Sequence, residues 1–159
     1  MRTHLKYKGY ALDAIDSRLL ALLDGNSRVS VAELAREVRM SSPSVNERLK
    51  RMEEAGVISG YNIKVSPESF GYPLAAIVRM RQYPGKLKQL ETLVASIPEF
   101  VECDKVTGDD CLFARLHFRD MAHLDAILDQ VAAYADTNTS VIKAAVIERR
   151  NVPYQSKGL

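Results

Sequence analysis

The periodicity of apolar residues changes once along this chain, at Ser66-Pro67-Glu68-Ser69-Phe70-Gly71-Tyr72-Pro73. Before that stretch apolar positions recur at helical spacing; after it, short β-rich runs alternate with helical ones. Two prolines, a glycine and two serines punctuate the change, and a chain that switches period at such a stretch folds as two units. We therefore read 1–11 as a basic tail, 12–65 as a helical unit, 66–73 as a connector, 74–150 as a mixed unit and 151–159 as a second tail. A chain of 159 residues, 47% hydrophobic and 26% charged, can supply two small cores, and this balance excludes global disorder.

In the first unit, Leu12, Ile15, Leu19, Leu20 and Leu23 mark a one-faced amphipathic helix that Asp24-Gly25-Asn26 stops. Ser30 and Glu33 form a capping box for a second helix, with Ala32, Leu34, Ala35 and Val38 as its packing face. Arg39-Met40-Ser41 turns the chain. Ser42 and Pro43 then open a third helix, serine as N-cap and proline at the first helical position, where its missing amide costs nothing. Val45, Leu49 and Met52 fall at i, i+4 and i+7 and face the core, and Gly56 closes the helix. Val57–Val65 reads as β-rich with a hairpin turn at Ser59-Gly60.

The second unit shows strands over Leu74–Arg81, Phe100–Thr107, Cys111–Phe118 and Thr139–Ile147. Helices fall over Lys86–Ile97 and, capped by Asp120, through Leu124, Ile127, Leu128 and Val131. The order β-α-β-β-α-β is the ferredoxin-like pattern, so the chain as a whole is α+β. Both helices lie on one face of such a sheet, and the other face meets solvent, a ligand or another subunit. Val78, Met80, Val101, Cys103, Leu112 and Ala114 supply apolar strand positions, from which we expect a dimer to cover the sheet.

Two helices joined by a tight turn, the second beginning in small polar residues and carrying basic ones, form a helix-turn-helix. Ser41, Ser42 and Ser44 permit close approach in the major groove, and helix-start amides bind a phosphate. Asn46 and Arg48 are long enough to reach base edges, Asn to adenine and Arg to guanine. Lys50 and Arg51 lie further along and suit phosphates, and Ser30 completes the candidate DNA-binding set. Residues 1–65 carry 11 Lys and Arg against 8 Asp and Glu, whereas 66–159 carry 11 against 12, so the basic excess sits with these helices. A solvated helix on an ordinary three-helix core explains the same charges, and Glu47 favours that plainer reading.

Taken in order, Leu12-Asp13-Ala14-Ile15-Asp16, Leu19–Leu23, Arg28-Val29-Ser30, Glu33-Leu34-Ala35, Val45, Arg48-Leu49 and Gly56-Val57-Ile58-Ser59-Gly60-Tyr61 resemble the Lrp/AsnC (feast/famine) transcription regulators. Val106-Thr107-Gly108-Asp109 and Asp120 continue the resemblance, which covers Leu12 to Ile147. It implies a winged helix-turn-helix ahead of a RAM/ACT-like effector and assembly domain. It further implies double-stranded DNA as partner, homodimers that assemble commonly to octamers, and an amino acid or similar small molecule as effector. Effectors of the family bind near the turn between the middle strands and the entry to the last strand. That maps onto Thr107, Gly108, Asp109 and Asp110, with Thr137, Thr139 and Ser140 as further candidates. A free amino acid presents an ammonium and a carboxylate, and this turn offers carboxylates, a hydroxyl and backbone amides. An ordinary hairpin turn favours Gly-Asp-Asp for backbone reasons alone. Where many members continue with Asp and then Tyr or Phe, this chain has Cys111-Leu112.

No apolar run reaches the ~18–20 residues of a membrane span, so no membrane partner is expected. Met1–Lys6 has basic residues without an apolar stretch behind them and is not expected to act as a secretory signal; the expected location is cytoplasmic. His4, His117 and His123 lack metal-ligand spacing, and no cofactor is expected. Cys103 and Cys111 flank the turn and are expected as two reduced thiols rather than a redox pair. No nucleophile–base arrangement is visible, so an enzyme is not expected. Two other readings stay open: an architectural DNA binder without effector, and a tetrapyrrole-decarboxylating enzyme of the same architecture, whose large pocket would need His and Arg.

Overall fold

Three helices form where the 3.6-residue period placed them: α1 over Ala14–Gly25, α2 over Val31–Val38 and α3 over Ser42–Glu54. The structure is a computed structural model that describes residues 10–154; Arg2, His4, Lys6 and Lys8 of the basic tail lie outside the described residues. Each helix starts on a side-chain cap. At α1, Asp13 Oδ1 accepts from the Asp16 amide at 2.8 Å while Asp16 Oδ2 accepts from the Asp13 amide at 3.2 Å. At α2, Ser30 and Glu33 form the expected box, with bonds of 2.9 and 3.2 Å. At α3 the N-cap is Ser41, one residue earlier than expected, its Oγ accepting from the Ser44 amide at 3.3 Å. Leu19, Leu34, Val45 and Met52 are completely buried between the three helices.

The expected hairpin over 57–65 does not form. The Val57 and Ile58 amides both donate to the Met52 carbonyl, at 2.8 and 3.2 Å, and both side chains pack partly buried on the helical core. Once they close α3 they cannot serve as the first arm of a hairpin, so residues 59–66 carry no strand. Tyr61, Ile63 and Val65 are left alternating and exposed.

After a 3-10 turn at Pro67–Phe70 come β1 (Leu74–Gln82), α4 (Leu87–Ser96), β2 (Phe100–Lys105), β3 (Leu112–Phe118), α5 (Met121–Val131) and β4 (Ala135–Val141). The sheet order is β2-β3-β1-β4 with every pairing antiparallel, which is the ferredoxin-like arrangement expected. Asp120 caps α5 through a 2.8 Å bond from the His123 amide. Val78, Met80, Leu116 and Phe118 pack with Leu90 of α4 and Ile127 and Val131 of α5.

Two expectations need correction here. Val78, Met80, Leu112 and Ala114 are buried in the core that α4 and α5 share with the sheet, so they form no uncovered apolar face; of the six positions only Val101 and Cys103, both on β2, are exposed. The reverse face carries Ile77, Arg79, Arg81, Phe113, Arg115 and His117, a mixture of apolar and basic side chains. The last strand is β4 at Ala135–Val141 rather than Thr139–Ile147. It runs antiparallel to β1, and after the Ile142 amide reaches the Ala75 carbonyl at 2.8 Å, β1 ends at Leu74 behind Pro73. The Val- and Ile-containing segment that follows has no backbone left to pair with, which leaves Val146 and Ile147 exposed.

The chain divides into two compact units, residues 10–64 together with 149–154, and residues 65–148. The returning segment belongs to the first unit. Asn151 Nδ2 donates to Asp24 Oδ1 at 2.7 Å, and burial together with the Asp24 carboxylate pushes the Tyr154 phenol up. Among the described residues no helix is long and apolar enough to cross a membrane.

Candidate nucleic-acid interface

The start of α3 is open on its outward side. Ser44, Asn46 and Glu47 are exposed and Ser42 is half-buried, while Val45 and Leu49 turn inward. Ser41 and Ser44 share a 2.8 Å hydroxyl contact, so both are partly committed to the helix cap. Ser30 is more fully committed: its Oγ donates to Glu33 Oε2 at 2.8 Å and accepts from the Glu33 amide. The Ser30 amide, and after it the Ser30 hydroxyl, donate to the Glu33 carboxylate and hold that carboxyl below its ordinary range.

Arg48 does not point outward. Its guanidinium lies 2.7 Å from Asp13 Oδ2 and 2.8 Å from Asp16 Oδ1, and Asp16 is the one buried charged residue of the described chain. Tyr10 donates to the other Asp16 oxygen at 3.2 Å. The arrangement joins α3 to the N-terminus of α1, with the carboxylates of Asp16 and Asp13 raising Arg48 further above its ordinary value. Burial opposes ionisation of Asp13, but the Asp16 amide and Arg48 outweigh it and hold the Asp13 carboxyl low. A base-reading role for Arg48 would require breaking two charge-assisted hydrogen bonds.

The other cations of α3 also have partners. Lys50 lies 3.9 Å from Glu54, and Arg51 stands over the Tyr10 ring at 5.6 Å. The Lys50–Glu54 pair is an exposed contact that DNA phosphates would displace at little cost, and the Arg51 side chain is itself exposed. Behind α3, Tyr61 donates to Glu53 at 2.9 Å, and burial with that bond pushes its phenol up to about 12.

In the second unit the turn at Thr107–Asp110 has Gly108 at φ 120°, a backbone that only glycine adopts freely. Its carboxylates face two arginines of β1 that sequence reasoning passed over: Asp110 lies 3.6 Å from Arg79 and 3.7 Å from Arg81, and Asp109 lies 4.0 Å from Arg81. Alternation along β1 was the available signal, since residues 79 and 81 share a face. The remaining effector candidates separate. Ser140 pairs with Ile77 on the uncovered face, whereas Thr137 and Thr139 pair with the buried Met80 and Val78. Thr139 Oγ1 is buried with no hydrogen-bond partner among the described residues.

Cys103 and Cys111 do not approach each other for a disulfide. Cys103 is opposite Ala114 while the Cys111 carbonyl accepts from Val106, three steps further along the ladder. That is roughly 10 Å, beyond the ~7 Å Cα limit for a bridge. Burial and Asp104 push the Cys103 thiol up, away from the reactive thiolate. Among the described residues no group of His, Cys, Asp or Glu could hold a metal ion.

Residues 12–59 match the winged helix-turn-helix DNA-binding family and residues 75–152 match the Lrp/AsnC ligand binding domain. The chain belongs to the Lrp/AsnC family of transcription regulators. The leucine-responsive regulatory protein of Haemophilus influenzae is 32% identical over 148 residues, covering 89% of each chain. LrpC of Bacillus subtilis is 28% identical over 131 residues, covering 82% of this chain and 91% of that one. The solved structure of that LrpC superposes with a TM-score of 0.83 at 26% identity, over 88% of this chain and all of the other. A Neisseria meningitidis transcriptional regulator, solved as its L-methionine complex, gives 0.83 at 26% identity over 89% and 96% of the two chains. The Lrp/AsnC chain described here is thus a DNA-binding transcription regulator of a family whose members are not generally enzymes. In this Lrp/AsnC chain the segment after α3, where a wing would stand, holds no strand pair of its own.

Proposed function

We propose that this Lrp/AsnC regulator binds pseudo-palindromic DNA as a homodimer, and that a free amino acid held by its second unit sets its assembly or its DNA affinity. The outward-facing start of α3 carries the DNA half of the reading, with Ser42, Ser44 and Asn46 available to the groove and Lys50 and Arg51 to phosphates. Two such helices in a dimer would lie about one turn of DNA apart. The exposed, alternating Tyr61, Ile63 and Val65, in a segment that carries no strand, and the sheet face with Ile77 and Phe113 support association with a second copy. Assembly of dimers to an octamer would let DNA wrap.

The turn supports the effector half. Arg79 and Arg81 offer donors for a carboxylate, and Asp109 and Asp110 offer acceptors for an ammonium. The methionine complex of the Neisseria relative favours an amino acid as the ligand class. A ligand acts only if it binds one assembly state better than another. The place of action is the cytoplasm, and the chain is not an enzyme.

Fluorescence anisotropy with a duplex from upstream of its own gene, a scrambled duplex and a pooled amino-acid mixture tests this reading. Selective binding that shifts with the pool is the expected outcome. Equal binding of both duplexes with a steep salt dependence would favour an architectural DNA binder instead.

A further inference from the structure

Between α2 and α3 the chain reverses over Arg39, Met40 and Ser41, and Arg39 sits at φ 55°, ψ 47°. It is the one non-glycine residue with positive φ among the described residues. The conformation is imposed from both sides. The Arg39 amide donates to the Arg36 carbonyl at 3.2 Å and the Met40 amide to the Ala35 carbonyl at 2.9 Å, the pairing that ends a helix over a left-handed residue. Ser41 must then be extended to cap α3. Glycine takes such a position without steric cost, and the turn of a helix-turn-helix often contains one. An arginine gives up stability there, and long side chains gain nothing from the left-handed region.

The side chain supplies a reason to keep it. Arg39 is exposed, and among the described residues no carboxylate or aromatic ring engages it. The three cations of α3 differ: Arg48 is held by Asp13 and Asp16, Lys50 faces Glu54, and Arg51 covers Tyr10. Set against those three, the guanidinium without such a partner is the one on the turn, two residues ahead of the Ser41 cap.

We propose that Arg39 is a DNA-backbone contact: its guanidinium grips a phosphodiester beside the groove that α3 enters, and so sets the depth and angle of α3. Phosphate contacts of this kind position a protein without reading sequence. The assignment rests on the DNA-binding reading and adds a strained residue retained for that purpose.

The test compares the full chain with its Arg39→Gly and Arg39→Lys variants, measuring thermal midpoint and affinity for cognate and scrambled duplexes across a salt series. Arg39→Gly should raise the midpoint by about 2–4 °C. It should also weaken both duplexes by a common factor of about ten, and flatten the salt slope by about 0.9 for each phosphate released. Arg39→Lys should keep the slope and recover part of the affinity, because it retains the charge and loses the fork. Unchanged affinity and slope in Arg39→Gly would overturn the assignment, as would a loss confined to the cognate duplex, which would mean base reading. A wild-type chain that binds neither duplex would overturn the DNA-binding reading itself, and this contact with it.

Discussion

The two units solve the same electrostatic problem in opposite ways. In the helical unit Arg48 meets two carboxylates at 2.7 and 2.8 Å, one of them on the buried Asp16. In the sheet unit Arg79 and Arg81 meet Asp109 and Asp110 at 3.6–4.0 Å, with both arginines and Asp109 exposed. Burial decides what each arrangement is for. A buried pair cannot be broken without leaving a charge stranded, so it joins α1 to α3 permanently. An exposed, loosely spaced cluster contributes little to folding and can exchange its internal partners for a ligand.

The largest expected effect comes from breaking the buried arrangement. Arg48→Ala should cost about 3–5 kcal/mol of stability, because it strands the Asp16 carboxylate. Thermal or urea unfolding reads it. A stable Arg48→Ala variant that has lost discrimination among bases would return Arg48 to the groove and undo the contrast. Next in size, Asn46→Ala should relax preference at one base position by about 1–3 kcal/mol, seen in competition against single-base variants of the site. Its melting temperature should not move, since Asn46 is exposed.

A smaller effect on folding, under about 1 kcal/mol, is expected for Arg81→Ala at the exposed cluster. Its value lies in a second readout: the shift of DNA affinity with amino acids should vanish while the fold persists. Retention of the full shift would place the effector elsewhere. The smallest effect is a pH dependence. The Asp13 carboxyl is held low, so its contribution is fully present above its unfolded pKa of about 3.9 and is lost as pH falls through the depressed folded value. The gap in melting temperature between the wild type and Asp13→Asn should therefore close as the pH drops below about 4. At half exposure Asp13 is screened, so the change should be slight.

Features governed by near neighbours were legible from the order of residues alone. The Ser30–Glu33 box, the Asp120 cap and the inward stripe of Val45, Leu49 and Met52 each involve residues three to seven apart, and each formed where expected. The ferredoxin-like order of the second unit was equally legible, because a switch between periods of 2 and 3.6 is written in the side chains. Arg48 shows the limit. Its partners lie 35 and 32 residues upstream, so nothing near it in the chain distinguishes a strut from a base-reading arm.

The amino-acid order thus determined the caps, the helix faces and the succession of strands, because those depend on interactions within one turn or one strand. Only the tertiary structure decided the rest. Val57 and Ile58 went to the end of α3 rather than into a hairpin, since the Met52 carbonyl was within reach and no partner strand was. The polar Ala135–Val141 run became the edge strand while the more apolar run after it did not, since β1 offered backbone partners only as far as Leu74. Strand propensity sets what a segment prefers, but a strand exists only where another backbone supplies its hydrogen bonds, and that supply is a property of the whole fold.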